Sequence, residues 1–337
     1  MTASALPLTF DVSLQQPLSQ AIEAIQGSLP VSLSLADNVF SLDATSANSA
    51  STIELIVFSD IEFPVLAKIL NQCLLTDATI TAVNHRNALT SLRMLVNTPD
   101  LTRAREKLVE ITLTEGIEAA LVQNAPTLST PGLLVMDMDS TTIQIECIDE
   151  IAALAGVGEK VAEVTELAMQ GKLDFSESLY QRVGTLENAP ESILAEVAKD
   201  IPLMPGLQVL IEELKQHNWK VAIASGGFTY FADHLKALLG LDAAEANVLE
   251  IVDAKLTGKV LGRVVDANVK AEVLQSLAEQ YAIDSTQTVA MGDGANDLVM
   301  MAAAHMGVAY KAKPLVLAKA DTSISHSGLD LMLHYLK

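Results

Sequence analysis

The chain has 337 residues, half of them hydrophobic, and a formal net charge of −21. This length suits two or three domains with a sizeable core. A surface this acidic repels the phosphates of nucleic acids and of anionic membranes, so we expect neither as a partner. No uninterrupted apolar stretch approaches the roughly 18–20 residues of a membrane span.

Cysteine content and the first residues bear on where the protein works. The two cysteines, Cys73 and Cys147, lack the spacing of a metal site or a disulfide framework. Lys and Arg are absent from the first 67 residues, which argues against a secretory signal with a basic n-region. We therefore expect a cytoplasmic protein.

The first part of the chain has little periodicity. Residues 1–50 mix polar and apolar side chains, and residues 41–51, with the sequence SLDATSANSAS, are typical of a loop or linker. Structure within residues 1–40 is expected but weakly specified. We therefore treat residues 1–50 as a poorly specified N-terminal segment.

Residues 51–125 show a clearer pattern. Strands are predicted at 53–58, 78–83, 91–96 and 117–122, helices at 64–75 and 101–114, a turn at His85, Arg86 and Asn87, and a helix C-cap at Gly116. The order β-α-β-β-α-β is ferredoxin-like, an α+β arrangement. By pattern alone it resembles the ACT family of small domains, which implies a regulatory or dimerisation role.

A second domain is predicted over residues 132–337, after a linker at 126–131 that contains two prolines. Its strands are predicted at 133–136, 220–224 and 288–291, with shorter ones near 247–252 and 307–309. Their alternation with helices favours an α/β fold, a parallel sheet covered on both faces. Residues from about 148 to 203 instead predict successive helices, an insertion after the first strand.

Polar residues follow these strands at the carboxyl ends, where sites form in open α/β sheets. Segment 137–141 (DMDST) follows the first strand, 225–227 (SGG) the second and 292–297 (GDGAND) the third. Lys270 lies on a predicted helix between the last two strands. We expect these four segments to meet at one edge of the sheet.

The chemistry of these residues is complementary. Asp137 and Asp139 face the same way in an extended chain and repel each other, so such a pair usually needs a cation. Together with Asp293 they offer the oxygen ligands that Mg²⁺ prefers. The hydroxyl of Ser225, the open backbone N–H of the glycine after it and the charge of Lys270 suit a phosphate group. The set predicts phosphoryl transfer.

The four segments, in this order over some 200 residues, resemble the four motifs of the haloacid dehalogenase-like (HAD) superfamily. The resemblance implies a Rossmann-like core with a helical cap inserted after strand one. It implies that Asp137 is the nucleophile and forms an aspartyl-phosphate. Asp139 would protonate the leaving alkoxide and then deprotonate the hydrolytic water.

The resemblance also implies a cofactor, Mg²⁺. Asp137, Asp293 and the backbone carbonyl of Asp139 would bind it, and Asp297 would act through a metal-bound water. The residues implied to bind the phosphate side of the substrate are Ser225, Gly226, Lys270 and Asn296.

Within the superfamily the chain resembles the phosphoserine phosphatases. Glu146, nine residues beyond Asp137, matches the carboxylate that meets the substrate ammonium, and Arg182 matches the arginine that binds its carboxylate. Arg suits that task because its planar fork bonds both oxygens at once. Met169 and Phe175 match the apolar residues that close over the substrate.

The implied function is Mg²⁺-dependent hydrolysis of O-phospho-L-serine, the last step of serine biosynthesis. The sequence departs from the commonest family pattern at Met138, where Phe is frequent; we expect this side chain to pack into the sheet. Structural alternatives stay open for the cap: Glu146 and Arg182 could be exposed helix charges, and Met169 and Phe175 could simply pack.

Other functions stay open as well. The phosphoryl group could pass to another alcohol, which would make the protein a phosphotransferase, or the phosphatase could act on another small metabolite. The ferredoxin-like region could instead indicate an amino-acid-sensing regulator. In a more modest form, this region would tune the enzyme or drive assembly of a homodimer.

Overall fold

The computed structural model describes residues 6–13, 15–45, 51–169 and 172–337, with Met169 by its backbone alone. Within these residues the strands form two sheets of seven strands each, one in each half of the chain. None of the helices in the described ranges is both long and apolar enough to cross a membrane.

The first sheet is antiparallel throughout. Its elements are β1 (Leu8–Asp11), α1 (Ser19–Ile25), β2 (Val31–Ala36), β3 (Val39–Ala44), β4 (Ile53–Phe58), α2 (Phe63–Gln72), β5 (Thr76–Arg86), β6 (Leu89–Asn97), α3 (Leu101–Glu115) and β7 (Ala119–Gln123). The strand order is β1-β3-β2-β5-β6-β4-β7. Strands β5-β6-β4-β7 with α2 and α3 form the predicted ferredoxin-like unit, and α3 ends at Gly116 with a φ of 67°.

This sheet begins well before residue 51. Strands β1 to β3 extend the ferredoxin-like unit beyond β5, so the structure expected but weakly specified within residues 1–40 takes the form of additional strands of this sheet. Residues 41–44, predicted as loop, belong to β3, where Phe40 and Leu42 are buried and the alternate residues Ser41 and Asp43 are more exposed. Such a short alternation resembles a polar linker in sequence. The rest of the predicted loop, residues 46–50, lies outside the described residues.

The predicted turn at 85–87 is also corrected. His85 and Arg86 belong to β5, and the turn consists of Asn87 and Ala88, with φ of 48° and 60°. Positive φ at both central residues is typical of the type I′ turn that closes a two-residue hairpin. As a result Arg86 extends from the strand toward the last residues of the chain, where its guanidinium donates to the backbone carbonyls of Leu333 and Leu336.

The second sheet has the predicted α/β form. Its elements are β8 (Leu133–Met136), α8 (Leu207–Gln216), β9 (Lys220–Phe228), α9 (Thr229–Leu239), β10 (Ala243–Val252), β11 (Lys255–Leu261), α10 (Ala267–Gln280), β12 (Thr288–Gly292), α11 (Leu298–Ala303), β13 (Met306–Tyr310), α12 (Pro314–Leu317) and β14 (Thr322–Ile324). The order is β11-β10-β9-β8-β12-β13-β14, parallel except for β11. Central strand β8 is entirely buried, as expected for a sheet covered on both faces.

Over its described residues the insertion after β8 consists of α4 (Cys147–Leu154), α5 (Gly158–Met169), α6 (Phe175–Gly184) and α7 (Ser192–Ala198), and α8 then leads into β9. Asp174 starts α6 with a capping box that includes Glu177. An antiparallel bridge between Ile143 and Leu203 closes the base of the insertion. The helical cap therefore leaves and rejoins the sheet next to the end of β8.

The end of the chain packs against the first sheet. Residues Leu329–His334 form a 3-10 helix there. Arg93 of β6 pairs with Glu54 at 2.9 Å and donates to the backbone carbonyls of His334 and Leu336 at 3.0 and 2.7 Å. Arg93 and Glu54 are both buried. The interface thus contains a buried ion pair as well as apolar contacts.

His334 lies fully buried in this interface. Its Nε2 is 3.1 Å from the carbonyl oxygen of Arg86, so Nε2 carries the hydrogen, and Nδ1 accepts from the hydroxyl of Ser91 at 2.7 Å. Burial, reinforced by Arg86, Arg93 and His85, lowers the pKa of His334 to about 4. The imidazole is therefore neutral at physiological pH.

We expect His334 to make stability depend on pH. The pKa of His334 is lower in the folded than in the unfolded chain. Its contribution to the free energy of unfolding is therefore complete above pH 6.5, the unfolded pKa, and is lost as pH falls toward 4. Between these pH values the wild type should lose about 3 kcal/mol more unfolding free energy than His334→Gln. Urea denaturation at each pH measures this difference.

The exposed residue His234 provides the control. His234→Gln should follow the wild-type pH dependence. Parallel curves for the wild type and His334→Gln would contradict a neutral, buried His334.

Candidate active site

Three parallel strands end side by side and carry the candidate residues. Met136 at the end of β8 lies opposite Ile223 of β9 and Met291 of β12. The segments that follow these strands therefore leave the sheet at the same edge, as the sequence predicted.

The segment after β8 turns sharply. The carboxylate of Asp137 accepts from the backbone N–H of Met138 at 2.7 Å, and the hydroxyl of Thr142 donates to the backbone carbonyl of Asp137 at 2.5 Å. Ser140 has a φ of 57°, in the left-handed region. The Met138 side chain is fully buried in the core, as predicted, and its Cε lies beside Gly227. The turn thus orients Asp137 while Met138 anchors it.

Asp139 is half-buried at the wall of the cleft. Its carboxylate accepts from the backbone N–H of Cys147 at 3.3 Å. Burial raises the pKa of Asp139 to about 8, and the negative charges of Glu146 and Asp137 contribute to the rise. With this pKa Asp139 can donate a proton at neutral pH, and its protonation relieves the repulsion expected between the two aspartates.

Lys270, on α10, is the buried cation of the site. It has no exposed surface, and its Nζ lies 2.8 Å from Asp137 and 2.7 Å from Asp297. Burial alone would lower the pKa of Lys270, but the two carboxylates outweigh it and raise that pKa. Lys270 is therefore charged and joins the segments after β8 and β12.

Three carboxylates surround a space suited to a cation. Asp137, Asp293 and Asp297 each offer an oxygen within 4.8 Å of the others. Asp293 accepts from the hydroxyl of Thr141 at 3.1 Å, while Asp297 accepts from the backbone N–H of Gly294 and from the Lys270 ammonium. Burial raises the pKa of Asp293, and the charge of Asp137 adds to the effect. A donor set made only of oxygen fits a hard divalent ion.

Residues 225–227, predicted to follow the second strand, lie within β9, which continues to Phe228, and they are shaped for close approach. The hydroxyl oxygen of Ser225 accepts from the backbone N–H of Gly227 at 2.9 Å. A Cβ at Gly226 would lie 2.6 Å from the ring of Phe175, and one at Gly227 would lie 2.6 Å from Met138. These glycines are required by their neighbours, since neither has a positive φ. Phe175 thus reaches from the cap to this segment.

Two charged residues of the cap interact electrostatically with Asp139. Glu146, at the start of α4, accepts from the hydroxyl of Ser140 at 2.7 Å. Glu146 as a whole residue is exposed, but its carboxyl group is surrounded closely enough that burial raises its pKa, as do nearby carboxylates. Burial lowers the pKa of Arg182, while Asp149, Glu146 and Asp139 act in the opposite direction. The charges of Arg182 and Glu146 therefore act on each other and on Asp139.

The structure places the remaining predicted residues less directly. Asn296 is half-buried in the 3-10 helix Ala295–Asp297, beside Asp293. The side chain of Met169 lies outside the described residues.

Four polar residues with clear contacts were not among the predicted site residues. Ser140, Thr141 and Thr142 hydrogen-bond to Glu146, Asp293 and Asp137 respectively; all three donors stand within or next to the motif after β8, so a signal was available. The fourth, Asn247 of β10, donates to the carbonyl of Gly226 at 2.8 Å. It has no motif around it in the sequence.

Residues 132–305 match the family described as haloacid dehalogenase-like hydrolase. The match covers just over half of the chain, and the fold of the second sheet with its helical cap agrees with it. The chain belongs to the haloacid dehalogenase-like hydrolases.

Individual proteins that resemble this chain carry the name phosphoserine phosphatase. The phosphoserine phosphatase of Vibrio cholerae is 62% identical over 213 residues, which span 63% of this chain and 65% of that relative. The unliganded crystal structure of a probable phosphoserine phosphatase from Vibrio cholerae superposes on this structure with a TM-score of 0.72 at 48% sequence identity. The match covers 85% of this chain and 86% of that one. A substrate-bound phosphoserine phosphatase structure has a TM-score of 0.59 and 42% identity, covering 62% and 99%.

Gly226→Ala should impair the site because the new methyl group meets the Phe175 ring. Displacement of the ring or the segment by about 1 Å should lower kcat/KM for p-nitrophenyl phosphate by about 10²-fold. Steady-state kinetics measures the change.

Gly184→Ala is the matched control, since a Cβ at this cap glycine has no neighbour within 4 Å. It should retain wild-type kinetics. Equal kinetics for both variants would refute the close approach of Phe175 to Gly226.

Proposed function

We propose that this chain is a Mg²⁺-dependent phosphoserine phosphatase, which hydrolyses O-phospho-L-serine to L-serine and phosphate. One observation carries the proposal: the hydroxyl of Ser140, next to Asp139 in the chain, donates to Glu146 at 2.7 Å, and the charges of Glu146 and Arg182 both act on the Asp139 carboxyl. Similarity to phosphoserine phosphatases supports it, since one of them has been solved with its substrate bound.

In the proposed reaction, a carboxylate oxygen of Asp137 attacks phosphorus and the bond to the serine oxygen breaks. Asp139 gives its proton to that oxygen, and L-serine leaves. A water molecule then loses a proton to Asp139 and attacks the aspartyl-phosphate. Phosphate departs, Asp137 is again a carboxylate and Asp139 is again protonated, so protons and charges balance.

Asp137, Asp293 and the backbone carbonyl of Asp139 are the proposed Mg²⁺ ligands, with Asp297 acting through a bound water. When bound, the ion would neutralise charge on the phosphoryl oxygens. On the phosphate side the proposed groups are Ser225, Gly226, Lys270 and Asn296. Lys270 is already fixed by two carboxylates and costs little reorganisation when a phosphate arrives.

Selectivity is assigned to the cap. Arg182 would bind the substrate carboxylate through both oxygens, and Glu146 would accept from the substrate ammonium. Ser140 already orients Glu146. Phe175 and Met169 would exclude water from above, where Phe175 touches Gly226.

The proposal places the enzyme in the cytoplasm, at the last step of serine biosynthesis. The N-terminal sheet is proposed as an ACT-like domain that tunes the enzyme or forms a homodimer. Its ferredoxin-like part, β4 to β7 with α2 and α3, is the basis for this assignment.

Three substrates separate the contributions of the cap. O-phospho-L-serine carries both charged groups, O-phosphoethanolamine lacks the carboxylate and 3-phosphooxypropionate lacks the ammonium. We expect the wild type to prefer phosphoserine over each analogue by about 10²-fold in kcat/KM. Arg182→Ala should abolish the preference over phosphoethanolamine only, and Glu146→Gln the preference over 3-phosphooxypropionate only.

Lys199→Ala, which removes an exposed charge from the end of α7, should leave both preferences unchanged. Comparable wild-type rates on sugar phosphates would refute the substrate but leave a phosphatase. Retention of both preferences in Arg182→Ala and Glu146→Gln would refute the assignment of the cap residues.

Removal of the metal should abolish turnover. Chelation with EDTA should inactivate the enzyme and added Mg²⁺ should restore it. Without the cation, the negative carboxylates repel the negative phosphoryl oxygens instead of neutralising them. Asp293→Asn should raise the Mg²⁺ concentration for half-maximal activity by about tenfold or more. The exposed Glu279→Gln variant is the control, and full activity after chelation would contradict the metal requirement.

A further inference from the structure

We propose that Asn247 is a positioning residue for the phosphate-binding segment 225–227. It fixes the peptide between Gly226 and Gly227 so that the hydroxyl of Ser225 is aimed as a donor toward phosphate. The inference rests on the proposed function, which assigns Ser225 to the phosphate.

Asn247 occupies an irregular position in the sheet. The register between β9 and β10 shifts between Glu245 and Asn247, and the Asn247 side chain is 1% exposed. Backbone groups at such an irregularity lose their strand partners and need others. A buried amide side chain can supply both a donor and an acceptor there.

The two ends of the Asn247 amide have different partners. Nδ2 donates to the carbonyl oxygen of Gly226 at 2.8 Å, and Oδ1 accepts from the backbone N–H of Val265 at 2.8 Å. A carbonyl can only accept and an N–H can only donate, so the orientation of the amide is determined by its neighbours. The side chain bridges two chain segments.

One of these bonds acts on Ser225 through a peptide plane. The carbonyl of Gly226 and the N–H of Gly227 belong to the same planar trans peptide and point in opposite directions. With the carbonyl held by Asn247, the N–H points to the hydroxyl oxygen of Ser225, at 2.9 Å. Ser225 accepts this bond, which leaves its own hydrogen for another acceptor.

The second bond acts on the helix that carries Lys270. Val265 precedes Asp266, whose carboxylate caps the start of α10 by accepting from the backbone N–H groups of residues 268 and 269. Asn247 therefore ties the Ser225 segment to the beginning of the Lys270 helix. Two proposed phosphate-binding groups from different elements are held in register by one side chain.

Two substitutions break the bond to Gly226 in different ways. In Asn247→Asp the new carboxylate could still accept from Val265, but it would place an oxygen against the carbonyl of Gly226 and disfavour the present peptide orientation. Asn247→Ser is smaller and uncharged, and it breaks the bridge without introducing repulsion. Both variants should therefore release the peptide between Gly226 and Gly227.

The experiment measures competitive inhibition by inorganic phosphate in the Mg²⁺-loaded full chain. Asn247→Asp and Asn247→Ser should each raise the inhibition constant by about tenfold in the wild-type background. In a Ser225→Ala background the same changes should have less than about a twofold effect, since the group that they position is gone. Thr257→Ala, which removes a hydrogen bond to Glu250 in the same β10–β11 hairpin, should leave the constant unchanged.

The outcomes separate this inference from the function on which it rests. An unchanged constant in a folded Asn247 variant, or an equal loss in both backgrounds, would overturn the role of Asn247; circular dichroism identifies the folded variants. If Ser225→Ala alone leaves phosphate inhibition unchanged, the assignment of Ser225 in the proposed function fails, and the Asn247 inference with it. A normal loss in Ser225→Ala with no loss in the Asn247 variants refutes the Asn247 inference alone.

Discussion

The site depends on the two ion pairs of one buried lysine, Lys270. Lys270 keeps its charge without any exposed surface only because Asp137 and Asp297 lie within 2.8 Å, and a buried charge without such partners would be strongly destabilising. The three residues come from α10 and from the segments after β8 and β12. The central strand order and the packing of α10 therefore have to be correct before the charges can balance, which links the fold directly to the site.

The same constraint separates the two aspartates that follow β8. Asp137 lies beside Lys270, whereas Asp139 faces Glu146 and accepts from the backbone N–H of Cys147. Burial and neighbouring charge raise the pKa of Asp139 to about 8. Identical side chains two residues apart thus have different surroundings, and a protonated Asp139 matches the role of the acid.

The sequence predicted those parts of the fold that have strong local patterns. The bounds of β4 and β8 agree with the prediction because mainly apolar runs identify buried strands, and Gly116 marks the end of α3 because it adopts a positive φ. Strand β3 was missed because Ser41 and Asp43 interrupt its short run of apolar residues. Asn247 could not be found from its neighbours in sequence, since its partners lie about 20 residues away on either side and meet it only through the register shift of the sheet. The motifs around Asp137 and Asp293 were visible because each directly follows a buried strand.

Hydrogen bonds join the two sheets at several points. Glu118 accepts from three successive backbone N–H groups, those of Ser325, His326 and Ser327, directly after β14. The predicted linker is itself held, since the backbone N–H of Leu128 donates to the carbonyl of Lys337 and its carbonyl accepts from the indole of Trp219. Strand β14 pairs with β13, and β13 pairs with β12, the strand that leads to Asp293. These paired strands connect the interface with the N-terminal sheet to the strand that leads to Asp293.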